Sequence, residues 1–339
     1  MNLYKTSKGN VWIYNADSLD LYDSWESPII IISDGPYGIS GFEGDLPTSE
    51  NLGKWYEPHI KKWSKNSTPQ TTLWFWNTEI GWAKVHPFLE KHGWSFINCH
   101  VWNKGIAHIA GNSNTKSLRK LPIVTEICVQ YCKKAFVKRG KTKRTIKEWL
   151  RDEWIRTGLP LSKTNEAAGV KDAATRKYFT KDHLYYPPPP DVFEKIVNYA
   201  NKYGDKKGVP YFSFTGKESL TQYEWKKLRP KFFCPIGVTN VWNAPSLNGK
   251  ERIKIGPKAF HLNQKPLDIT ELMIKISSEI DDVVWEPFGG LATGAVASYL
   301  LDRKCYCAEI NPIIYNKAVE RLSQIERNEK LKQSTLFTD

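Results

Sequence analysis

The residues Ser33-Asp34-Gly35-Pro36-Tyr37-Gly38 place an acid, a tight turn and an aromatic ring directly after the run Ile29-Ile30-Ile31-Ile32. Four β-branched residues bounded by Pro28 and a Gly/Pro turn predict a short buried strand. The turn then delivers its side chains to the strand's carboxyl end, the edge of an open α/β sheet at which ligands bind. There a carboxylate accepts an amine N–H and an aromatic ring stacks on a planar face, which is the chemistry needed to grip an extruded nucleobase. The same residues also suit an ordinary turn, so the motif needs a second one to decide its meaning.

That second motif lies near the other end. Val283-Val284-Trp285 predicts a strand, Glu286-Pro287-Phe288-Gly289-Gly290 a tight loop, and Thr293 to Leu301 a helix. Cys305-Tyr306-Cys307-Ala308 predicts the next strand, ending at Glu309, and Asn311-Pro312 opens a helix to about Arg321. Strand, glycine loop, helix, strand, acid is the plan of a mononucleotide-binding half-domain, with the acid about 20 residues on holding the ribose hydroxyls. The glycines Gly289, Gly290 and Gly294 do not spell the dinucleotide fingerprint G-x-G-x-x-G. A nucleoside cofactor without a pyrophosphate, such as S-adenosylmethionine, fits better than NAD.

Together these motifs resemble the amino-group DNA methyltransferases that accompany restriction enzymes. Asp34-Gly35-Pro36-Tyr37 is similar to the family's catalytic Asp-Pro-Pro-Tyr, and Glu286-Pro287-Phe288-Gly289-Gly290 to its Asp-Pro-Phe-x-Gly cofactor loop. Asn240-Val241-Trp242-Asn243-Ala244-Pro245 and His261-Leu262-Asn263-Gln264-Lys265-Pro266-Leu267 resemble the segment before that loop. The order, catalytic motif first, is that of the circularly permuted β class. The resemblance covers about residues 10–105 and 238–322. The sequence departs from the pattern at Gly35 for the first proline, Glu286 for Asp, Leu262-Asn263 for Pro-Thr and Leu291-Ala292 for Ser-Gly.

The resemblance implies S-adenosylmethionine as methyl donor, S-adenosylhomocysteine as product, and no metal. It places Asp17, Lys265, Glu286, Phe288, Gly289, Gly290, Glu309 and Asn311 around the cofactor, with Asp17 at the adenine. Asp34 would accept one N–H of the target amine, the Gly35 carbonyl the other, and Tyr37 would stack on the flipped base. Asp34 favours adenine N6 over cytosine N4, which stays the alternative; a non-catalytic DNA-binding protein on the same scaffold is the second. Cytosine-C5 chemistry would use a Pro-Cys pair and a zinc deaminase a Pro-Cys-x-x-Cys signature, and the chain has no Pro-Cys.

The elements that position these residues follow from pattern. Val11-Trp12-Ile13-Tyr14, Leu73-Trp74-Phe75-Trp76, Trp94–Ile97 with His100–Trp102, and Ile123–Tyr131 predict further strands. Alternation with helical stretches predicts an α/β fold: an open, doubly wound, mostly parallel Rossmann-like sheet with an inserted target-recognition region. The expected division is 1–105 catalytic half, 106–240 DNA-binding region (with 119–132 assignable to the sheet), 241–325 cofactor half and 326–339 a frayed tail. Within the insertion, Lys141, Lys143 and Arg144 belong to a basic run. Residues 161–180 resemble a helix-turn-helix around Gly169, whose second helix would present Thr175, Arg176 and Lys177, beside Lys171, to DNA. Pro187–Pro190 predicts a stiff spacer.

The 339 residues carry 49 Lys and Arg against 36 Asp and Glu, a net charge of +13 that points to a polyanion, here double-stranded DNA. No apolar run reaches the roughly 20 residues of a membrane helix, and Met1-Asn2-Leu3-Tyr4-Lys5 does not open a signal peptide. The six cysteines match no zinc-knuckle spacing and are expected to be reduced and mostly buried. A cytoplasmic, nucleoid-associated prokaryotic protein is the expectation, with a homodimer and a cognate restriction endonuclease as the partners to look for.

Overall fold

The structure, a computed structural model, describes residues 2–40, 45–109, 118–139, 142–247, 251–256, 258–261 and 263–335. The chain divides into two compact units, one made of Met1–Lys133 with Lys231–Asp339 and one of Lys134–Pro230.

The first unit is built on strands β1 (Asn2–Lys5), β2 (Val11–Asn15), β3 (Ile30–Ser33), β4 (Thr72–Asn77), β5 (Trp94–Asn103) and β6 (Thr125–Lys133). Strand β7 (Phe136–Arg139) and β8 (Thr142–Thr145) belong to the second unit, and β9 (Val241–Asn243), β10 (Lys254–Ile255), β11 (Lys258–Ala259), β12 (Val283–Glu286) and β13 (Lys304–Ala308) to the first. Its sheet runs β1-β2-β13-β12-β3-β4-β6-β5-β9, with β10 and β11 as a separate hairpin. The stretch β2-β13-β12-β3-β4 is parallel throughout, and β6 is antiparallel to both β4 and β5. The expected open, mostly parallel sheet is observed.

Strands β3, β4 and β12 are buried at every residue, as strands covered on both faces must be. Side chains alternate between faces with period two. Ile30, Ile32, Trp74 and Val284 therefore join Met273 of α7 (Leu267–Ser277) and Ala295 of α8 (Thr293–Leu300) in one core. Ile31, Leu73 and Trp285 join Tyr56, Ile60 and Trp63 of α1 (Leu52–Asn66), with Val85 and Leu89 of α2 (Glu79–Lys91), in the other.

Strand β6 is hydrogen-bonded between β4 and β5 and β9 pairs with β5, so the stretch assignable to the sheet joins the first unit, and the second unit spans Lys134–Pro230. Within the span 326–339, helix α9 (Pro312–Thr335) continues to Thr335, and the buried Glu326 carboxylate accepts from the Ser7 N–H at 2.7 Å and from the Tyr4 hydroxyl, while 336–339 lie outside the described residues.

The second unit comprises the β7–β8 hairpin, α3 (Ile146–Arg156), α4 (Thr164–Ala168), α5 (Pro190–Tyr203) and α6 (Gln222–Lys227). A capping box between Thr145 and Glu148 starts α3, and Pro190 occupies the first turn of α5 rather than ending a spacer. Its own core includes Trp149, Trp154, Phe179, Phe193, Tyr211 and Trp225, with Trp225 stacked on Phe193 at 4.3 Å. The predicted helix-turn-helix is only half formed. Gly169 caps α4 in the left-handed region (φ 71°), but Thr175–Phe179 is a 3₁₀ turn, not an α-helix. Side chains three apart eclipse in 3₁₀ geometry, so Thr175 and Tyr178 are buried together, and the Thr175 hydroxyl lies in hydrogen-bond contact with the Thr164 hydroxyl at 2.8 Å and with Asn165 Oδ1.

Candidate active site

The carboxyl ends of β2, β3, β12 and β13 surround a cavity of about 500 Å³ whose lining includes Asp17, Asp34, Lys265, Phe288, Gly290 and Glu309. The volume falls in the range of small-molecule sites. Residues far apart in sequence meet here because the parallel strands all end at one edge. Reversed β6 brings its first residues to that same edge, with Glu126 paired in register to Trp102 at the end of β5.

Asp34 follows β3 and points into a closed ring of polar atoms. Its Oδ1 accepts from the Tyr37 hydroxyl at 2.8 Å and from the Lys265 ammonium at 2.8 Å. Oε1 of Glu126 faces the same two donors at 2.7 and 3.0 Å. The second Glu126 oxygen lies 2.9 Å from the ammonium of Lys104. Burial alone would push the Glu126 carboxyl up, but Lys265 and Lys104 overrule it and hold it down to about 2. Burial would likewise depress Lys265, and the carboxylates of Asp34 and Glu126 raise it instead. Among the described residues, no hydrogen bond or ion pair engages Asp34 Oδ2, and Asp34 keeps some exposure to the cavity.

The loop backbone is equally constrained. The Pro36 carbonyl accepts from Tyr56 and from the Asn77 side chain, each at 3.1 Å. Asp45 accepts from the N–H groups of Tyr37 and Gly38 at 2.9 and 2.7 Å. A Cβ on Gly35 would lie 2.6 Å from the Tyr56 hydroxyl and 2.7 Å from the Phe288 ring. Glycine in place of the family's proline therefore leaves the loop packed, not loose. Tyr37, expected to stack on a base, lines the cavity while largely buried, its ring 5.3 Å from the Lys265 ammonium and its hydroxyl bracing Asp34.

Across the cavity, the Gly289 N–H donates to the Ala308 carbonyl at 2.7 Å, and a Cβ there would sit 2.6 Å from Cys307 Sγ. Glu309 accepts from the N–H of Gly290 and of Asn311, both at 2.8 Å, and burial raises its pKa. With the Ile310 N–H also bonded to it, the carboxylate keeps acceptor capacity that a ribose hydroxyl can use. Asn311 caps α9 through Ile313, and Asp17 caps the turn Ser18–Asp20 through Leu19, each at 2.9 Å. Phe288 packs against His59 at 5.0 Å and Trp55 at 5.6 Å. Glu286 also lines the cavity, and its two oxygens accept from the N–H groups of Gly294 and Ala295 at 2.7 and 2.8 Å, which ties the loop to α8. Lys265 is likewise spent on Asp34 and Glu126, not on the glycine loop.

Of the residues expected at DNA, Lys171 and Arg176 are exposed on the second unit and Lys177 is half-buried. Lys143 is exposed, its ammonium 3.9 Å from the Phe136 ring, and Arg144 pairs with Asp152. Thr175, 1 % exposed, is corrected to a structural residue. Lys141 and Leu262 lie outside the described residues. Sequence reasoning missed Glu126, Lys104, Asp45 and Asn77. A lone acid within the predicted strand Ile123–Tyr131 was the available signal for the first. The cysteines are all free, with Cys128, Cys305 and Cys307 buried and Cys234 exposed. Among the described residues no cluster of three or more metal-ligating side chains occurs, and no helix is long and apolar enough to cross a membrane.

Comparison with known proteins agrees with this geometry. The type II methyltransferase M.HindIII of Haemophilus influenzae is 39 % identical over 79 residues, 23 % of this chain and 25 % of that one. M.BglII of Bacillus subtilis is 23 % identical over 315 residues, 92 % of this chain and 68 % of the relative. The chain thus spans about a quarter of the first relative and two thirds of the second. The fold matches PvuII DNA methyltransferase, described as cytosine-N4-specific, with a TM-score of 0.52 and 13 % identity over 96 % of this chain and 93 % of that one. The family described as DNA methylase matches residues 29–320, from the start of β3 into α9 and across both cavity loops, and the chain belongs to that family.

Proposed function

We propose that the protein transfers the methyl group of S-adenosylmethionine to the exocyclic N6 of adenine in duplex DNA after flipping the base. The observation that carries this is Asp34 Oδ2, unpaired among the described residues at the end of β3, facing a cavity whose other wall is the glycine loop and Glu309. The cradle fits a nucleoside: Gly289 and Gly290 let backbone approach it, Glu309 offers acceptors for ribose hydroxyls, and Asp17 lies beside the cavity for the adenine. When bound, the cofactor supplies an electrophilic methyl on a sulfonium.

The chain's own part is to make a poor nucleophile attack. An amine conjugated to its ring gains nucleophilicity when both N–H groups are held by acceptors that favour pyramidal nitrogen. Asp34 Oδ2 takes one and the Gly35 carbonyl, which accepts no hydrogen bond among the described residues, the other. Preorganised acceptors and positioning supply the rate. The exposed basic residues of the second unit, Arg176 among them, hold DNA and read its sequence. Cytosine N4 presents the same pair of N–H groups and is the competing target. The test is incubation with labelled S-adenosylmethionine and mixed-sequence duplex DNA, digestion and identification of the labelled nucleoside. N6-methyladenine supports the reading, N4-methylcytosine replaces the base, and no label beside intact DNA binding would favour a non-catalytic binder.

A further inference from the structure

Asp34 and Glu126 sit on different strands, yet one oxygen of each is bridged twice, by a phenol and by an ammonium. The Tyr37 hydroxyl has one proton and can donate to only one carboxylate at a time, whereas the Lys265 ammonium has three. Its third donor meets the Asn263 carbonyl at 3.3 Å. Lys104 holds the far oxygen of Glu126, so the four charges balance in a buried site. Both donors on Asp34 reach the same oxygen, Oδ1, and leave Oδ2 to the cavity.

We propose that Glu126 is a positioning residue for methyl transfer: it anchors Lys265 and Tyr37 so that they clamp Asp34 Oδ1 and turn Oδ2 toward the target amine. The inference rests on the methyltransferase reading above. Glu126 also gives the Tyr37 proton a second acceptor. When an amine arrives, the hydroxyl can turn to Glu126 and free a lone pair on Asp34 without leaving a buried donor unpaired. Without Glu126, Lys265 has Asp34 as its sole carboxylate and the carboxylate is drawn toward it.

Glu126→Gln is expected to lower kcat about 10²-fold, the scale of a misplaced reacting group, with cofactor affinity unchanged and Glu126→Asp recovering part of the loss. Mere structural support would not move the pH profile, whereas loss of this network should. The titratable and charged groups around the Asp34–Glu126 pair are Tyr37, Tyr56 on α1, Cys128 on β6, Lys104 after β5 (on Glu126), and His261 and Lys265 before α7. Lys265→Met leaves two carboxylates around one phenol, so the acid limb of kcat/KM should rise by about 1–3 pH units. Adding Glu126→Gln to Lys265→Met removes the surplus charge and should return the limb toward the wild-type position.

Thermal unfolding of the same variants against pH reads the network without any substrate. The Lys265→Met deficit should shrink on acidification, because protonation relieves the unpaired carboxylates, and the double variant should lose that dependence. If the wild type methylates no DNA, the functional reading fails while these melts still judge the network. Full turnover by Glu126→Gln, or an acid limb that stays put in Lys265→Met, would overturn the inference.

Discussion

Asp34 follows β3 and Glu286 ends the neighbouring hydrogen-bonded strand β12, and each begins a loop of the same cavity. Their fates differ. Glu286 spends both oxygens on backbone N–H groups at the start of α8, and its carboxylate holds the glycine loop shut against that helix. Asp34 spends one oxygen on side chains and none on backbone, so its other oxygen faces the cavity. The difference teaches that an acid at a strand end is a scaffold when the next helix starts within its reach. It is a reagent when a loop carries the chain away and side chains brace it from behind. Here that loop turns over Asp45, and α1 begins only at Leu52.

The sharpest way to break the comparison is to remove each acid in turn. Asp34→Ala should abolish methyl transfer, by at least about 10²–10³-fold, the cost of losing one preorganised electrostatic contact. Its binding of the cofactor in a calorimetric titration should match the wild type, since among the described residues no hydrogen bond or ion pair joins Asp34 to the glycine loop. Substantial turnover in this variant would unseat Asp34 from the chemistry.

Glu286→Gln should act on stability first. A carboxamide turns an NH₂ toward one of the two backbone donors, and one unsatisfied buried N–H costs about 1–3 kcal/mol. The pH dependence adds a sign. Burial, opposed by the Gly294 and Ala295 hydrogen bonds, pushes the Glu286 carboxyl up from 4.5 to about 7. A folded-state pKa above the unfolded one means its stability contribution is complete below 4.5 and declines as pH climbs toward 7. Urea midpoints of wild type should fall across that window, and those of Glu286→Gln should fall less. Parallel curves would show that Glu286 does not titrate there.

How much of this was legible beforehand follows the chain distance between partners. Asp34, Gly289, Gly290 and Glu309 lie in loops directly after apolar strands, and local pattern alone puts them at one sheet edge. The Asp34–Glu126–Lys265 ring was not legible. It needs the knowledge that β6 runs backwards between β4 and β5, which turns a residue at a strand's start into an active-site neighbour. The use of Glu286 was hidden for the opposite reason. Its partners are backbone donors eight and nine residues on, and backbone carries no side-chain signature. Local propensity also misled around Gly169, where the left-handed cap was readable but the pull of Thr175 onto α4 was not.

That last site carries the same contrast, scaffold beside reagent, into the second unit at adjacent positions. Thr175 is buried and hydrogen-bonded within its unit, whereas Arg176 is exposed. Neutralising Arg176 and Lys177 to Gln should leave the melting temperature unchanged. DNA affinity should weaken, and the slope of log K against log salt should flatten by about two if both touch phosphate, or about one if only Arg176 does. Thr175→Val should reverse the pattern. It loses a buried hydroxyl pair worth about 1 kcal/mol, lowering the unfolding midpoint while the salt slope stays at the wild-type value. If Thr175→Val instead flattened the slope at unchanged stability, the hydroxyl would be reaching DNA, and the turn Thr175–Phe179 would have to reopen to let it.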